Sequence, residues 1–309
     1  MQIIKENTDY DFLGKRRFFI VLSLLLNLMA FILWFTTGDE KYGVDFRGGT
    51  ELIVRFNEVV TAGELRESLK AGGFLEAIVQ AFENSDRDFS IRLALDQSQA
   101  EKKEQVRAIL QGLKPGGYQL LKEDYVGPII GEQIRKDAIT ALVLSLIAMQ
   151  IYIGLRFDWR FGAGGIFALF HDVIITVGIC LLAHKEMSAG ILAALLTITG
   201  YSINDTIIVY DRVRENLTKS FKAAGGKKKG STEVPSKLID IMNLSVNETL
   251  SRTILTSMTA FFVVTTLWLF GGGAVSDLSF ALMVGIVIGT YSSIFIACPI
   301  VLACQPRSR

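Results

Sequence analysis

The sequence predicts a six-helix membrane bundle with one α+β domain inserted after its first helix. Two patterns carry that reading. Half of the 309 residues are hydrophobic, and they are gathered into six blocks instead of being spread at a helix or strand period. Each block is long enough to cross a bilayer, which takes about 20 residues of helix. Between the first block and the second lies a polar stretch, 36–137, in which strand-like alternation and helix caps recur.

The first block, 18–35, opens with Phe18-Phe19-Ile20-Val21-Leu22 and leaves through Thr36-Thr37-Gly38-Asp39-Glu40. A cleaved signal peptide would have an apolar core of about 7–15 residues ending at small residues. This block is longer and lacks that ending, so it reads as an uncleaved span. Five more blocks follow at 138–157, 163–183, 188–210, 253–270 and 280–304. Orientation follows from Lys and Arg in the short connecting segments. Lys15, Arg16 and Arg17 precede the first span, and Arg156 and Arg160 lie between the second and third. Arg212, Arg214, Lys219, Lys222 and Lys227-Lys228-Lys229 lie between the fourth and fifth, and Arg307 and Arg309 follow the sixth. The other side carries Lys185 in one turn and no basic residue in 271–276. Alternating spans place every basic cluster on one face. The expected layout is a cytoplasmic segment 1–17, an external domain 36–137, a cytoplasmic loop 211–252 and a cytoplasmic tail 305–309.

The insert reads as strand, helix, strand, strand, helix, strand. The first strand is Thr50-Glu51-Leu52-Ile53-Val54-Arg55-Phe56. Thr61 and Glu64 form a capping box ahead of Leu65 and Leu69, and Gly72-Gly73 closes that helix. Ile78-Val79-Gln80-Ala81-Phe82 is the second strand, and Phe89, Ile91, Leu93 and Leu95 alternate through the third. Ser98 caps a helix carrying Val106, Ile109 and Leu110, which Pro115-Gly116-Gly117 ends. Tyr118 to Tyr125 is the last strand. This order suits a ferredoxin-like split βαβ domain, a fold that by itself names no ligand. The insert has no histidine or cysteine, which argues against catalysis there.

Several functions are disfavoured. The net charge is +1, so nothing in the global charge points to nucleic acid. Cys180, Cys298 and Cys304 fall in or at the ends of apolar blocks, without spacing for a disulfide framework or metal site. No cofactor is expected. The run from Gly225 to Thr232 lacks a Gly-Lys directly before its hydroxyl residues and follows no strand, so it reads as a flexible basic loop able to touch anionic lipid. Tyr210-Asp211 matches half of an intramembrane aspartyl protease site, but the second aspartate after Gly-x-Gly is absent.

Ionisable residues inside the blocks carry the functional reading, because a charge at the centre of a span costs about 2.5–3.5 kcal/mol on insertion scales. Asp205 sits in Gly200-Tyr201-Ser202-Ile203-Asn204-Asp205-Thr206, where five of the seven side chains can hydrogen-bond. Held between desolvation and a nearby cation, such a carboxyl can load and release a proton; the structural alternative is an interhelical hydrogen bond. Asp172, beside His171, is the second candidate, open between proton transfer and helix packing. Arg252 opens the fifth block and anchors it to the cytoplasmic face. Thr253, Thr256, Ser257 and Thr259 continue inward from it, so the arginine can bias the aspartate. Gly285 and Gly289 form a GxxxG suited to a close helix contact, and Gly48-Gly49 and Gly271-Gly272-Gly273 read as turns.

Over nearly its whole length the chain resembles the SecF family of bacterial protein-export membrane subunits. The motifs are Tyr42-Gly43-Val44-Asp45-Phe46-Arg47-Gly48-Gly49-Thr50, Val126-Gly127-Pro128, Ala168-Leu169-Phe170-His171-Asp172-Val173 and Gly200 to Thr206. Asp211-Arg212-Val213-Arg214-Glu215-Asn216 and Thr249-Leu250-Ser251-Arg252-Thr253 complete them. The resemblance implies a resistance-nodulation-division (RND-like) bundle paired with a homologous SecD subunit. It implies attachment to the SecYEG channel and use of the proton-motive force to help a translocating preprotein complete its passage. The family's proton path falls on Asp205 and Arg252, with Asn204 and Asp172 as further relay candidates, and the external domain handles substrate. Three rivals remain: an RND-type lipid or drug half-transporter, an intramembrane protease, which needs two apposed carboxylates, and a scaffold subunit.

Overall fold

The structure is a computed structural model that describes residues 9–75, 77–82, 85–93, 100–223, 238–271 and 273–304. Leu95, Ser98, Gly272, the lysine run 227–229, Arg307 and Arg309 lie outside the described residues. The helices are α1 (Arg16–Thr36), α2 (Val44–Arg47), α3 (Ala62–Ala71), α4 (Ala100–Leu113), α5 (Pro128–Arg156), α6 (Trp159–Leu182), α7 (Ala189–Ala223), α8 (Leu238–Phe270), α9 (Gly273–Ser292) and α10 (Cys298–Ala303). The strands are β1 (Gly49–Phe56), β2 (Ile78–Ala81), β3 (Asp88–Leu93) and β4 (Tyr118–Val126). A π-helical turn, Ser293–Ala297, joins α9 to α10 into one span. Among the described residues six helices are long and apolar enough to cross a membrane: α1, α5, α6, α7, α8 and the span 275–303.

The inserted domain forms because its apolar residues alternate. Leu52, Val54 and Phe56 of β1 point to the same side as Phe89, Ile91 and Leu93 of β3, where α3 supplies Leu65 and Leu69 and α4 supplies Val106 and Leu110. Fully burying such a side chain stabilises by roughly 1.5–3 kcal/mol, so this cluster holds the domain. Thr61 and Glu64 make the reciprocal capping box that starts α3. The sheet is antiparallel in the order β2-β3-β1-β4. Two short elements escaped the sequence reading, α2 and a 3-10 turn at Gly38–Lys41. Both lie between the first span and β1. Gly48 ends α2 at φ +79°, and a Cβ there would stand 2.7 Å from Pro128 Cα, so glycine lets β1 and the start of α5 meet.

In the bundle, α6, α7 and the last span are central: 61%, 50% and 56% of their apolar stretches are buried, against 11–17% for α1, α5 and α8. Glycines bring backbones close. A Cβ on Gly178 would meet Ala30 Cβ of α1 at 2.3 Å, and Cβ atoms on Gly285 and Gly289 would press Ile198 and Ser202 of α7.

The segment expected as a loop, 211–252, is largely helical in its described parts. α7 continues to Ala223 and α8 begins at Leu238. Val213 and Asn216 of α7 and Ile241, Met242 and Ser245 of α8 are buried at helical spacing, a pattern masked in the sequence by the charges on the outer faces. Arg212 bridges the pair to Glu248 at 2.6 Å. The chain before α1 also packs here: Asn243 and Asn247 of α8 bond the backbone of Tyr10 and Phe12, and Leu13 is fully buried.

Candidate functional site

Asp205 lies well inside α7. Burial along this helix recurs at Ser202, Asp205, Thr206, Val209, Tyr210 and Val213, which is one face of a helical repeat. Asp205 is therefore turned into the bundle and is 1% exposed. Its hydrogen-bond contact is Ser257 Oγ of α8, long at 3.4 Å. Ser257 in turn lies 2.7 Å from Thr290 Oγ1 of α9, whose hydroxyl donates to the Ile286 carbonyl at 2.8 Å. Thr253, one turn before Ser257 on the same buried face, has a hydroxyl with no partner among the described residues.

The hydroxyls after Arg252 do not form a single inward face. Thr253 and Ser257 are buried, whereas Thr256 and Thr259 are exposed and bond the carbonyls of their own helix. Arg252 is exposed, sits within α8 instead of at its start, and makes no hydrogen bond or ion pair to Asp205 among the described residues. Asn204 is exposed on the opposite side of α7. Of the four sequence candidates, the structure buries Asp205 and Asp172 and leaves Asn204 and Arg252 on the outer surface of this chain.

Asp172 is 0% exposed and densely partnered. His171 Nδ1 lies 2.9 Å from Oδ1, while Ser202 of α7 and Ser292 of α9 donate to Oδ2 at 2.5 and 2.9 Å. His171 Nε2 reaches Ser23 of α1 at 3.0 Å, and Ser23 reaches the Tyr291 hydroxyl at 2.8 Å. Four helices meet at this node. Among the described residues the two carboxylates share no hydrogen-bond partner. Ser23, Tyr291, Ser292 and Thr290 were missed in the sequence; the run of hydroxyl residues Thr290-Tyr291-Ser292-Ser293 inside the last apolar block was the available signal.

A second set of contacts fastens the domain to the turn between α6 and α7. Gly43 N donates to the Met187 carbonyl at 2.8 Å and Met187 N to the Lys41 carbonyl at 2.7 Å. Asp45 accepts from Ala189 N, the first residue of α7, at 2.8 Å. Arg92 of β3 pairs with Glu186 and, at 3.2 Å, with Glu51. Lys185 pairs with Asp277 of α9 at 3.1 Å. The domain is thus tied directly to the end of the helix that carries Asp205.

Six apolar helices enclosing two carboxylates, with an α/β domain capping one end, define a multi-pass membrane protein with ionisable groups held in its bundle. Residues 105–307 match the family described as protein export membrane protein SecD/SecF, C-terminal. The chain is 38% identical over 302 residues to the protein translocase subunit SecF of Rickettsia bellii, covering 97% of this chain and 95% of the relative. The corresponding subunit of Calditerrivibrio nitroreducens is 38% identical over 300 residues, covering 96% and 94%. The chain belongs to the SecF family of the SecD/SecF proteins. Among solved structures, that of SecDF, a translocon-associated membrane protein from Thermus thermophilus, superimposes with a TM-score of 0.83 at 36% identity. It covers 97% of this chain but 39% of the SecDF chain. SecDF in its super-membrane-facing form gives a TM-score of 0.67, again at 36% identity, covering 98% of this chain and 39% of that one.

Proposed function

We propose that this chain is a non-enzymatic subunit that pairs with SecD and uses the proton-motive force to promote preprotein passage through SecYEG. The observation that carries the reading is Asp205, enclosed in the bundle yet, among the described residues, contacted by one weakly placed hydroxyl. A buried carboxylate without strong donors is costly when charged, so proton uptake there changes how α7, α8 and α9 fit together. Ser257 has one hydrogen. With Asp205 protonated, that hydrogen serves Thr290; with Asp205 ionised, the carboxylate competes for it. One proton crossing about 100 mV releases about 2.3 kcal/mol, enough to shift such a balance.

The reading extends outward along α7. Asp45 caps that helix and the domain is hydrogen-bonded to the preceding turn, so movement of α7 is transmitted to the domain. The βαββαβ order and the sheet order β2-β3-β1-β4 support a ferredoxin-like domain that handles the translocating chain. The basic residues Arg16, Arg17, Arg156, Arg160 and Arg212, clustered at the bundle end away from that domain, support a periplasmic domain and cytoplasmic termini in the inner membrane. The exposed positions of Arg252 and Asn204 suit residues completed by the SecD half, which corresponds to the part of the SecDF chain that this sequence does not cover.

The test is Asp205→Asn in vesicles carrying SecD and SecYEG. Proton-dependent stimulation of preprotein translocation is expected to be lost with the protein folded and the complex assembled; unchanged stimulation refutes the reading.

A further inference from the structure

The contacts around His171 fix where their hydrogens lie. The Phe19 carbonyl on α1 has no hydrogen to give, so the Tyr291 hydroxyl donates to it at 2.8 Å. With its hydrogen used, Tyr291 accepts from Ser23 at 2.8 Å. Ser23 then has none left for His171, so Nε2, 3.0 Å away, must carry the hydrogen of that contact. A further hydrogen sits between Nδ1 and Asp172 Oδ1, 2.9 Å apart. Ser202 donates to Oδ2, and Ser292 directs its one hydrogen there at 2.9 Å in preference to the Gly289 carbonyl at 3.2 Å. The arrangement that satisfies every contact therefore gives His171 and Asp172 two hydrogens and no net charge. It does so either as imidazolium with carboxylate or as neutral imidazole with carboxylic acid. A pair without net charge is also what an apolar bundle accommodates.

Removing one proton reverses the chain. Nδ1–H donates to the carboxylate and Nε2 becomes an acceptor. Ser23 then turns its hydrogen to Nε2, Tyr291 turns its own to Ser23, and the Phe19 carbonyl loses its donor. We propose that His171 and Asp172 form a second proton-binding centre whose occupancy sets the direction of this chain, and so whether α1 is held at Phe19. α1 is the helix that leads into the external domain, and Ser23 and Phe19 are its polar contacts with α6 and α9. The groups facing the pair are Ser23 from α1, Ser202 from α7 and Ser292 and Tyr291 from α9, with Tyr291 stacked 5.9 Å from the imidazole. Asp205 lies one turn along α7 from Ser202, and no lysine, arginine or glutamate contacts the pair among the described residues. The coupling to export rests on the function proposed above; the proton switch itself does not.

The sequence contains two histidines, His171 and His184, so histidine labelled with 15N in the full-length protein, with SecD in lipid bilayers, gives two ring systems. His184→Gln assigns them. Across the pH range over which the protein stays folded, Nε2 is expected to carry a proton at the acid end and to give way to the neutral Nδ1–H form as pH rises. In Tyr291→Phe, Ser23 is free to donate to Nε2, and the change moves to lower pH. A bare Nε2 throughout the range in the wild type overturns the proposal, as does a folded Tyr291→Phe protein with an unmoved transition. The wild-type spectrum decides alone should that variant not fold. Loss of export in Asp205→Asn with no His171 switch removes this inference only. A switch alongside unaffected Asp205→Asn export removes the proton-driven reading instead.

Discussion

Asp172 and Asp205 lie in adjacent central helices, equally hidden from solvent, and differ in almost everything else. Asp172 is met by an imidazole and two serine hydroxyls at 2.5–2.9 Å, from two neighbouring helices and its own. Asp205 is met by one serine at 3.4 Å that is itself closer to a threonine. A carboxylate with its acceptor sites filled holds helices in register, and its removal leaves several donors stranded. A carboxylate with open acceptor capacity contributes little to packing. Burial alone does not separate the two aspartates' weight in packing. The number and quality of donors does.

The largest effect should follow from removing the saturated carboxylate. Asp172→Ala strands His171, Ser202 and Ser292, and is expected to destabilise the bundle by roughly 3–5 kcal/mol, read as a lower denaturation midpoint in detergent. An effect equal to that of the Asp205 variant would dissolve the contrast. Next comes Gly178→Val. Even a Cβ at this position meets Ala30 of α1 at 2.3 Å, so the larger side chain should cost about 1–3 kcal/mol. By pushing α1 off α6 it should also separate Ser23 from His171 while leaving the Asp205 surroundings intact. Cysteine cross-linking between α1 and α6 checks the first effect, and retained α7–α9 cross-links check the second. Asp205→Asn should cost about 1 kcal/mol or less while removing proton-driven export, the dissociation of stability from function that the comparison requires.

Much of this was legible in the sequence, for identifiable reasons. Six blocks of bilayer length announce themselves because burial in lipid demands uninterrupted apolar helix, and the Thr61–Glu64 box and the alternation at Phe89, Ile91 and Leu93 fix local structure through nearby residues. Asp205 and Asp172 stood out because charge inside a span is rare. The partners were hidden: Ser23, Tyr291 and Ser292 are far from Asp172 along the chain, and a hydroxyl in an apolar block gives no sign of which neighbour it faces. The reach of α7 and α8 beyond the apolar blocks was obscured for a different reason. There the buried stripe is narrow, and charged residues such as Arg212 and Glu248 cover the rest of each helix. The expected inward hydroxyl face after Arg252 failed on geometry, since Thr256 and Thr259 turn out of the narrow buried stripe that carries Thr253 and Ser257.

A third enclosed carboxylate, Glu186 in the turn that receives the domain, sharpens the comparison outside the membrane span. Burial pushes its carboxyl above the ordinary glutamate range; Arg92 opposes that rise, and the nearby Glu51 adds to it. The net rise means that burial outweighs the ion pair. The docked state then holds the proton more tightly than a solvated, undocked one. Docking is accordingly strongest below the ordinary glutamate value and weakens as pH climbs through the raised one. In Met187→Cys protein, thiol labelling at the junction should increase modestly from the acid to the neutral end of that window, and adding Glu186→Gln should flatten the dependence. Labelling that instead increases toward acid would mean that Arg92 holds Glu186 as a carboxylate. Partners, not enclosure, would then govern this carboxylate as well.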